Sequence, residues 1–283
     1  MDDKKHTIVT GATSGIGEVT AIELAKSGDK VIIIGRNEAK CQATVKKIVD
    51  ETGQAVDYLL ADFSSIESTK AAAQQYLDKY DRLDLLVNNA GALFGRRQES
   101  PDGLEMHIAV NHIGPFVLTM ALLDLMKQTA EASGDEVRIV NVNSDAHYSG
   151  VNWEDIQYEG KYSAMKAYGQ SKTMNLLFTK ELAQKLEGSG VTVNALHPGV
   201  VGTNIFTGFG NNIFFRALGK IAGLFMLSPE DGAKTTLYLS QSADLNGVSG
   251  SYYADQKEKK PLSETLDEGN QTKMWEMTEA WVS

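Results

Sequence analysis

Tyr168 and Lys172 stand as Tyr-x-x-x-Lys, and Ser144 precedes them in the chain. A free phenol titrates near ~10, so it acts as a base at neutral pH only with help. A cation at i+4 projects from the same helix face and favours the phenolate. A hydroxyl such as that of Ser144 holds a substrate oxygen while the phenol gives or takes its proton. Far upstream, Thr10-Gly-Ala-Thr-Ser-Gly-Ile-Gly17 opens the first strand-to-helix turn. Glycines there permit a tight turn and close backbone approach to a pyrophosphate, which the helix N-terminus then stabilises. Together these parts read as hydride transfer at a carbonyl or an alcohol.

Positioning such groups requires strands that end at one edge. Apolar runs alternate with helical stretches from His6 to about Gly199, and candidate strands are Thr7–Thr10, Val31–Ile34, Ala55–Leu60, Leu83–Asn88, Val137–Val142, Val191–Leu196 and Ser251–Tyr253. Several lack polar alternation, as parallel strands buried on both faces do. Helices fill the gaps as crossovers; the one after Tyr168 carries Phe178, Leu182 and Leu186 at four-residue spacing. No repeat or linker divides the chain. The expectation is a single Rossmann-type α/β domain over 1–283, a doubly wound, mostly parallel seven-stranded sheet with helices on both faces. The stretch from Ile205 to Leu227, with Phe206, Phe209, Phe214, Phe215 and Phe225, breaks the alternation and reads as a substrate loop or lid.

The chain has 283 residues, a net charge of −10 and 42% hydrophobic residues. That acidic balance, without a long basic tract, argues against nonspecific binding to nucleic acid or anionic membranes. Cys41 is the single cysteine, in register with Val45 and Ile48, so a buried thiol is expected and no disulfide or zinc spacing exists. Met1-Asp-Asp-Lys-Lys5 runs into a strand without an apolar export segment. No run reaches the ~18 apolar residues of a membrane span. A soluble, reducing, cytoplasmic setting is the expectation.

Several residues suit a dinucleotide. Gly11, Gly15 and Gly17, with Thr13, Ser14 and Ile16 between them, form the loop, although the spacing G-x-x-x-G-x-G departs from the commonest pattern. Gly35-Arg36-Asn37 ends the second strand with a cation and no carboxylate. An acid in that region favours NAD, whereas an Arg accommodates the 2′-phosphate of NADP. NADP is therefore expected, with NAD possible. Asn88-Asn89-Ala90-Gly91 follows another strand and is suited to brace loops around a cofactor, although Asn-Asn is also ordinary turn chemistry. Asp62 is placed to accept from an adenine amino group, or to cap a helix.

These pieces resemble the short-chain dehydrogenase/reductase family, and within it the branch of retinol dehydrogenases and similar lipophilic-carbonyl reductases. The matching text is Thr10-Gly-Ala-Thr-Ser-Gly-Ile-Gly17, Asn88-Asn-Ala-Gly91, Val110-Asn-His-Ile-Gly-Pro-Phe116, Arg138-Ile-Val-Asn-Val-Asn-Ser144, Tyr168-Gly-Gln-Ser-Lys172 and His197-Pro-Gly-Val-Val201, with Ser228-Pro-Glu-Asp-Gly-Ala233 beyond. The resemblance implies a tetrad of Asn111, Ser144, Tyr168 and Lys172. Tyr168 would be the acid/base, Ser144 would hold the substrate oxygen, Lys172 would lower the Tyr pKa and bind the nicotinamide ribose, and Asn111 would anchor a relay water. Pro198, Gly199, Val201 and Thr203 would embrace the nicotinamide carboxamide. Asn143 stands where family members usually carry a Ser, and the membrane anchor common in animal retinol dehydrogenases is not seen.

The implied activity is an NADP-dependent carbonyl reductase or alcohol dehydrogenase acting on a lipophilic aldehyde, ketone or retinoid-like substrate. An NAD-linked dehydrogenase is the alternative. A cofactor-sensing regulator without turnover is the rival from another class, and such proteins usually lose the Tyr or the Lys. His107 and His112, among Met106, Ile108 and Ile113, read as core residues rather than a metal site. His147 reads as structural and Arg96-Arg97 as a solvated pair. Trp275 and Trp281, with Met274 and Met277, suggest a terminal segment docking on the body, or a contact in a homo-oligomer.

Overall fold

The computed structural model describes residues 4–199 and 227–283. The strands are β1 (His6–Thr10), β2 (Lys30–Gly35), β3 (Asp57–Leu60), β4 (Leu85–Asn88), β5 (Val137–Val142), β6 (Val191–His197), β7 (Tyr252–Ala254) and β8 (Lys257–Glu258). They form one sheet in the order β3-β2-β1-β4-β5-β6-β7-β8. All neighbours run parallel except β7 and β8. The eighth strand is a correction to the seven expected. It pairs back through Asp255 and Gln256, which hold φ of 52° and 59°. Those are the left-handed values of a tight hairpin turn, here without the glycine that normally advertises one.

Strand order reverses between β1 and β4, where the connections leave toward opposite sides. In such sheets ligands bind at the carboxyl ends beside this switch point. Val9 pairs with Val87, so Thr10 and Asn88 end their strands side by side. The sequences that follow them, the glycine loop and Asn89-Ala-Gly91, therefore face one crevice.

The pleat sends alternate residues to two cores. Ile32 and Ile34 point to one, with Tyr76, Phe116, Phe178 and Trp275. Val31 and Ile33 point to the other, with Leu24, Ile48 and Leu239. The first core lies under α3 (Ile66–Lys79), the Met106–Ser133 helix, the Ala164–Lys185 helix and the C-terminal helix Glu268–Val282. The second lies under α1 (Gly15–Lys26), α2 (Glu38–Thr52) and the Pro229–Gln241 helix. Cys41 is fully buried on α2, as its periodicity requires, and a Cβ on Gly35 would stand 2.8 Å from its sulfur. Trp275 docks the last helix by stacking on Phe178, with ring centroids 6.1 Å apart, and meeting Phe116 edge-on.

The Met106–Ser133 helix bears on the expectation about membrane spans. Its length and a mean hydropathy of 1.6 over its most apolar window are enough for a membrane crossing, but 72% of that window is buried inside the protein. Leu118, Leu122 and Met126 are fully buried in the first core, as on a helix that packs its apolar residues against the body.

Candidate active site

Asn89 builds the crevice at the switch point. Its side-chain amide donates to the carbonyls of Thr10 (2.8 Å) and Gly11 (3.3 Å), and the Thr10 hydroxyl accepts from the N–H groups of Asn89 and Ala90, both at 2.9 Å. Two glycines permit this approach. Gly11 has φ +65°, and a Cβ there would sit 2.9 Å from Ala90 Cα; one on Gly17 would collide with Asn89 Nδ2. Ile16 backs the loop against Ala233 of the Pro229–Gln241 helix. Thr13 rests over Gly35. Ser14 is the N-cap of α1, yet its side chain makes no capping bond. The first-turn N–H groups thus keep no side-chain acceptor from their own cap, which is the arrangement that receives a phosphate.

Arg36 is exposed immediately after β2. Asp62 is exposed after β3, where its Oδ1 accepts from the Ser64 N–H (3.0 Å) and hydroxyl (2.7 Å). The cap of α3 is Ser65 rather than Asp62. Pro198 and Gly199 follow β6, with Gly199 N–H donating to His197 Nδ1 at 3.2 Å. Val201, Thr203 and the lid residues 205–226 lie outside the described residues.

The four residues of the expected tetrad converge. Lys172 is buried with Nζ 5.8 Å from the Tyr168 ring centroid and 3.3 Å from the Val142 carbonyl. A Cβ on Gly91 would lie 3.4 Å from both Lys172 Nζ and Asn111 Oδ1. Burial holds the Tyr168 phenol above its ordinary value, and a hydrogen bond with the Ser144 hydroxyl pulls it back down. Burial also lowers Lys172 to about 8. Within the protein alone, the phenol answers to burial and to Ser144 rather than to the Lys172 ammonium expected to favour the phenolate. Desolvation wins, because both groups sit in a water-poor wall at the base of the crevice.

Ser144 sits where β5 gives way to a single 3-10 turn, Asp145–Ser149, and its hydroxyl caps that turn by accepting from Ala146 N–H. His147 supports the turn. Its Nδ1 lies 2.8 Å from the Ser144 carbonyl, so that nitrogen carries the proton, and its own carbonyl accepts from Thr173 at 2.5 Å. Gly169 lets the turn lie flat on the helix of Tyr168, since a Cβ there would collide with Ser149 Oγ. Asn143, the departure from the usual Ser, donates to the Lys172 carbonyl at 2.9 Å and ties β5 to the same helix.

Asn111 lies in a π-helical turn, Ala109–Ile113, inside the Met106–Ser133 helix. Such single wide turns recur at functional sites. Its amide commits both protons, to the Ala92 carbonyl and the Ser171 hydroxyl at 3.0 Å each, while Oδ1 accepts from Ala92 N–H at 2.8 Å. The side chain thus clamps the loop after Gly91, and those protons are not free to anchor a relay water.

Sequence reasoning passes over Glu105 and reads His107 as core alone. Both are fully buried, and the His107 ring meets Tyr168 edge-on with centroids 6.0 Å apart. The signal was available in Glu105-Met-His107 at a helix start, where an acid is expected to cap. His112 behaves as expected, buried against Thr278 of the C-terminal helix at 2.7 Å and lowered to about 3 by desolvation. Of the arginine pair, Arg97 bonds Glu99 and the Gln157 carbonyl, so it is not a solvated residue as expected.

The profile of the short chain dehydrogenase family matches residues 5–212. Mouse retinol dehydrogenase 14 is 38% identical over 98% of this chain and 86% of its own length, and human retinol dehydrogenase 13 is 41% identical over 96% and 82%. A single-residue variant of actinorhodin polyketide ketoreductase, solved with NADPH, superposes with a TM-score of 0.70 at 26% identity over 89% of this chain and 95% of that one. The chain belongs to the short-chain dehydrogenase family and is an oxidoreductase, similar to the retinol dehydrogenases.

Proposed function

We propose that this protein is an NADP-dependent reductase of lipophilic aldehydes or ketones, able to run the reverse alcohol oxidation with the same groups. The observation that carries the reading is Tyr168, buried beside Lys172 and hydrogen-bonded with Ser144 at the base of the glycine-lined crevice. Gly11, Ser14, Gly15 and the first turn of α1 fit a pyrophosphate, since the loop admits close backbone approach and the cap side chain leaves the first-turn donors to a ligand. Arg36 would meet a 2′-phosphate, Asp62 an adenine, and Ala90, Gly91, Pro198 and Gly199 the remainder of the dinucleotide.

When bound, the nicotinamide supplies the hydride for the carbonyl carbon. Tyr168 gives its hydroxyl proton to the oxygen as negative charge builds there. A phenol held protonated by burial is ready for that direction without further adjustment. The Ser144 hydroxyl orients the same oxygen. Lys172 lends positive potential to the phenolate left behind, which takes its next proton from solvent. The likeness to retinol dehydrogenases supports an apolar substrate, and the NADPH in the ketoreductase supports the cofactor.

The test is NADPH oxidation by the purified protein across carbonyls of graded size and polarity, with Tyr168→Phe alongside. Removing the general acid should cost ~10²–10⁴-fold in kcat, while NADPH binding and thermal unfolding stay unchanged. Wild-type rates in Tyr168→Phe would remove Tyr168 from the proposed role, and a preference for NADH would reverse the cofactor assignment.

A further inference from the structure

We infer that Phe94 is a specificity-determining wall of the substrate pocket, and that Glu105 and His107 are positioning residues that hold it there. This rests on the reading of Tyr168 as the acid.

Glu105 has no exposed surface, and a carboxylate so placed is tolerated only when its lone pairs are met. They are. Its Oε2 accepts from the N–H groups of His107 (2.9 Å) and Ile108 (3.1 Å), capping the Met106–Ser133 helix. Its Oε1 lies 2.8 Å from His107 Nδ1 and 3.3 Å from the Tyr162 hydroxyl. On the far side of the imidazole, the backbone N–H of Phe94 donates to Nε2 at 2.9 Å. An N–H can only donate, so Nε2 is the bare nitrogen, Nδ1 carries the proton, and Nδ1–H donates to Glu105. The ring is locked in one tautomer and one orientation.

A cap alone would need Glu105 and nothing more. The additional link through His107 reaches a loop, and it does so in concert with Asn111. These two side chains of one helix hold alternate residues of that loop, Phe94 and Ala92. Both also touch the helix of the acid, Asn111 through Ser171 and His107 edge-on against Tyr168. The segment from Gly91, beside Lys172, to Phe94 is thereby fixed against the catalytic helix. Phe94 meets His107 edge-on with ring centroids 5.2 Å apart and remains only half-buried. A large apolar ring is thus pinned by its own backbone, one ring away from the general acid, with surface left to meet a ligand. That is the construction of a wall for the apolar flank of a carbonyl substrate.

Phe94→Ala, His107→Leu and His107→Gln would be compared with wild type and Tyr168→Phe, using one bulky aromatic and one small polar aldehyde. Phe94→Ala should raise KM for the bulky aldehyde by about tenfold, the loss expected from part of an aromatic contact, with KM for the small aldehyde and NADPH affinity unchanged. His107→Leu should give the same split, because the loop loses its anchor. His107→Gln should restore most of it, since its amide oxygen can accept from Phe94 N–H. Equal changes for both aldehydes in Phe94→Ala would overturn the wall. A glutamine variant no better than the leucine variant would overturn the positioning role. Retained turnover in Tyr168→Phe would instead overturn the parent reading, so the failures are distinguishable; Phe94 is half-exposed, so Phe94→Ala keeps the test decisive should His107→Leu fold poorly.

Discussion

The core beneath α1, α2 and the Pro229–Gln241 helix is built from Val9, Leu24, Ile33, Val87 and Leu196, and the polar side chains that α1, α2 and that helix bury there are small: Thr20, Thr44, Thr235, Thr236 and Ser240. The opposite core, beneath the Met106–Ser133 and Ala164–Lys185 helices, also buries Glu105, His107, Asn111, His112, Lys172 and Asn175. A hydroxyl can return its hydrogen bond to its own helix, as Ser240 does to Thr236. Amides, imidazoles and charges cannot be hidden so easily and require partners on other elements. A buried chain shows this: Asn88 donates to Thr119 and Asn141, and Asn141 donates to Thr179, crossing from one helix to the next through the sheet. One face therefore secures the fold mainly by apolar area, with Arg138 tying the end of the Pro229–Gln241 helix to the sheet, while the other gives up stability to hold groups in place, the usual trade where activity demands buried polar chemistry.

The difference is tested most severely at Lys172. Lys172→Met should lower kcat by about 10²–10³-fold, the range for loss of one preorganised electrostatic contact, and should nonetheless raise stability. Burial lowers the folded Lys172 to about 8, below its unfolded value of 10.5. The unfolded chain thus binds the proton more tightly, and keeping it charged at neutral pH costs the fold roughly 3 kcal/mol. Wild-type stability should rise with pH from about 8 toward 10.5, and the methionine variant should lose that rise. Wild-type reduction should decline over the start of the same interval as the ammonium is lost. Urea titrations at several pH values, beside pH–rate profiles, would show it; a methionine variant less stable than wild type at pH 7 would contradict the trade.

On the apolar face the expectation inverts. Leu24 is fully buried on α1, and Leu24→Ala should cost about 2–5 kcal/mol of stability through the cavity it leaves. The folded fraction should keep the wild-type kcat and the wild-type ranking of aldehydes. Denaturation midpoints and steady-state kinetics on one preparation would decide it, and a changed ranking would mean that the two faces are coupled.

Most of the sheet was legible in the sequence, although its division into two unlike faces was not. The seven expected strands all exist, because runs such as Val31-Ile-Ile-Ile34 fit only a doubly covered sheet. The ends were less legible. Leu83 and Asp84 fall short of β4, their N–H groups going to Thr129 Oγ1 and the His6 carbonyl, partners that no local pattern reveals. The hairpin to β8 was hidden because Asp255 and Gln256 adopt left-handed values without a glycine. The tetrad could be placed from its motifs, but the commitments of the Asn111 amide could not, since Ala92 and Ser171 come from distant elements. The helix start marks Glu105 as a capping acid, but the role of His107 was hidden by its apolar neighbours. Its importance comes from a ring contact with Tyr168 across the fold, which composition around it does not encode.

Arg36 offers the finest test, because it stands at the end of β2, just before α2 begins, and would be the point where the apolar face's edge contributes to chemistry. A guanidinium meets a phosphate bidentately, whereas NAD presents only a ribose hydroxyl at that position. A charge-assisted contact of ~1.5–3 kcal/mol corresponds to roughly ten- to hundredfold discrimination. Ser14 is exposed in the glycine loop but brings no charge, so Arg36 would supply most of the preference. Arg36→Ala should weaken NADPH binding by that factor, leave NADH binding almost unchanged and flatten the salt dependence of NADPH affinity. It should not alter unfolding, since the side chain is exposed. Steady-state kinetics with both nucleotides on both proteins measure each part. A variant that keeps its NADPH preference would move phosphate recognition to another residue, whereas one that loses NADH affinity equally would show that Arg36 shapes the crevice rather than reading the phosphate.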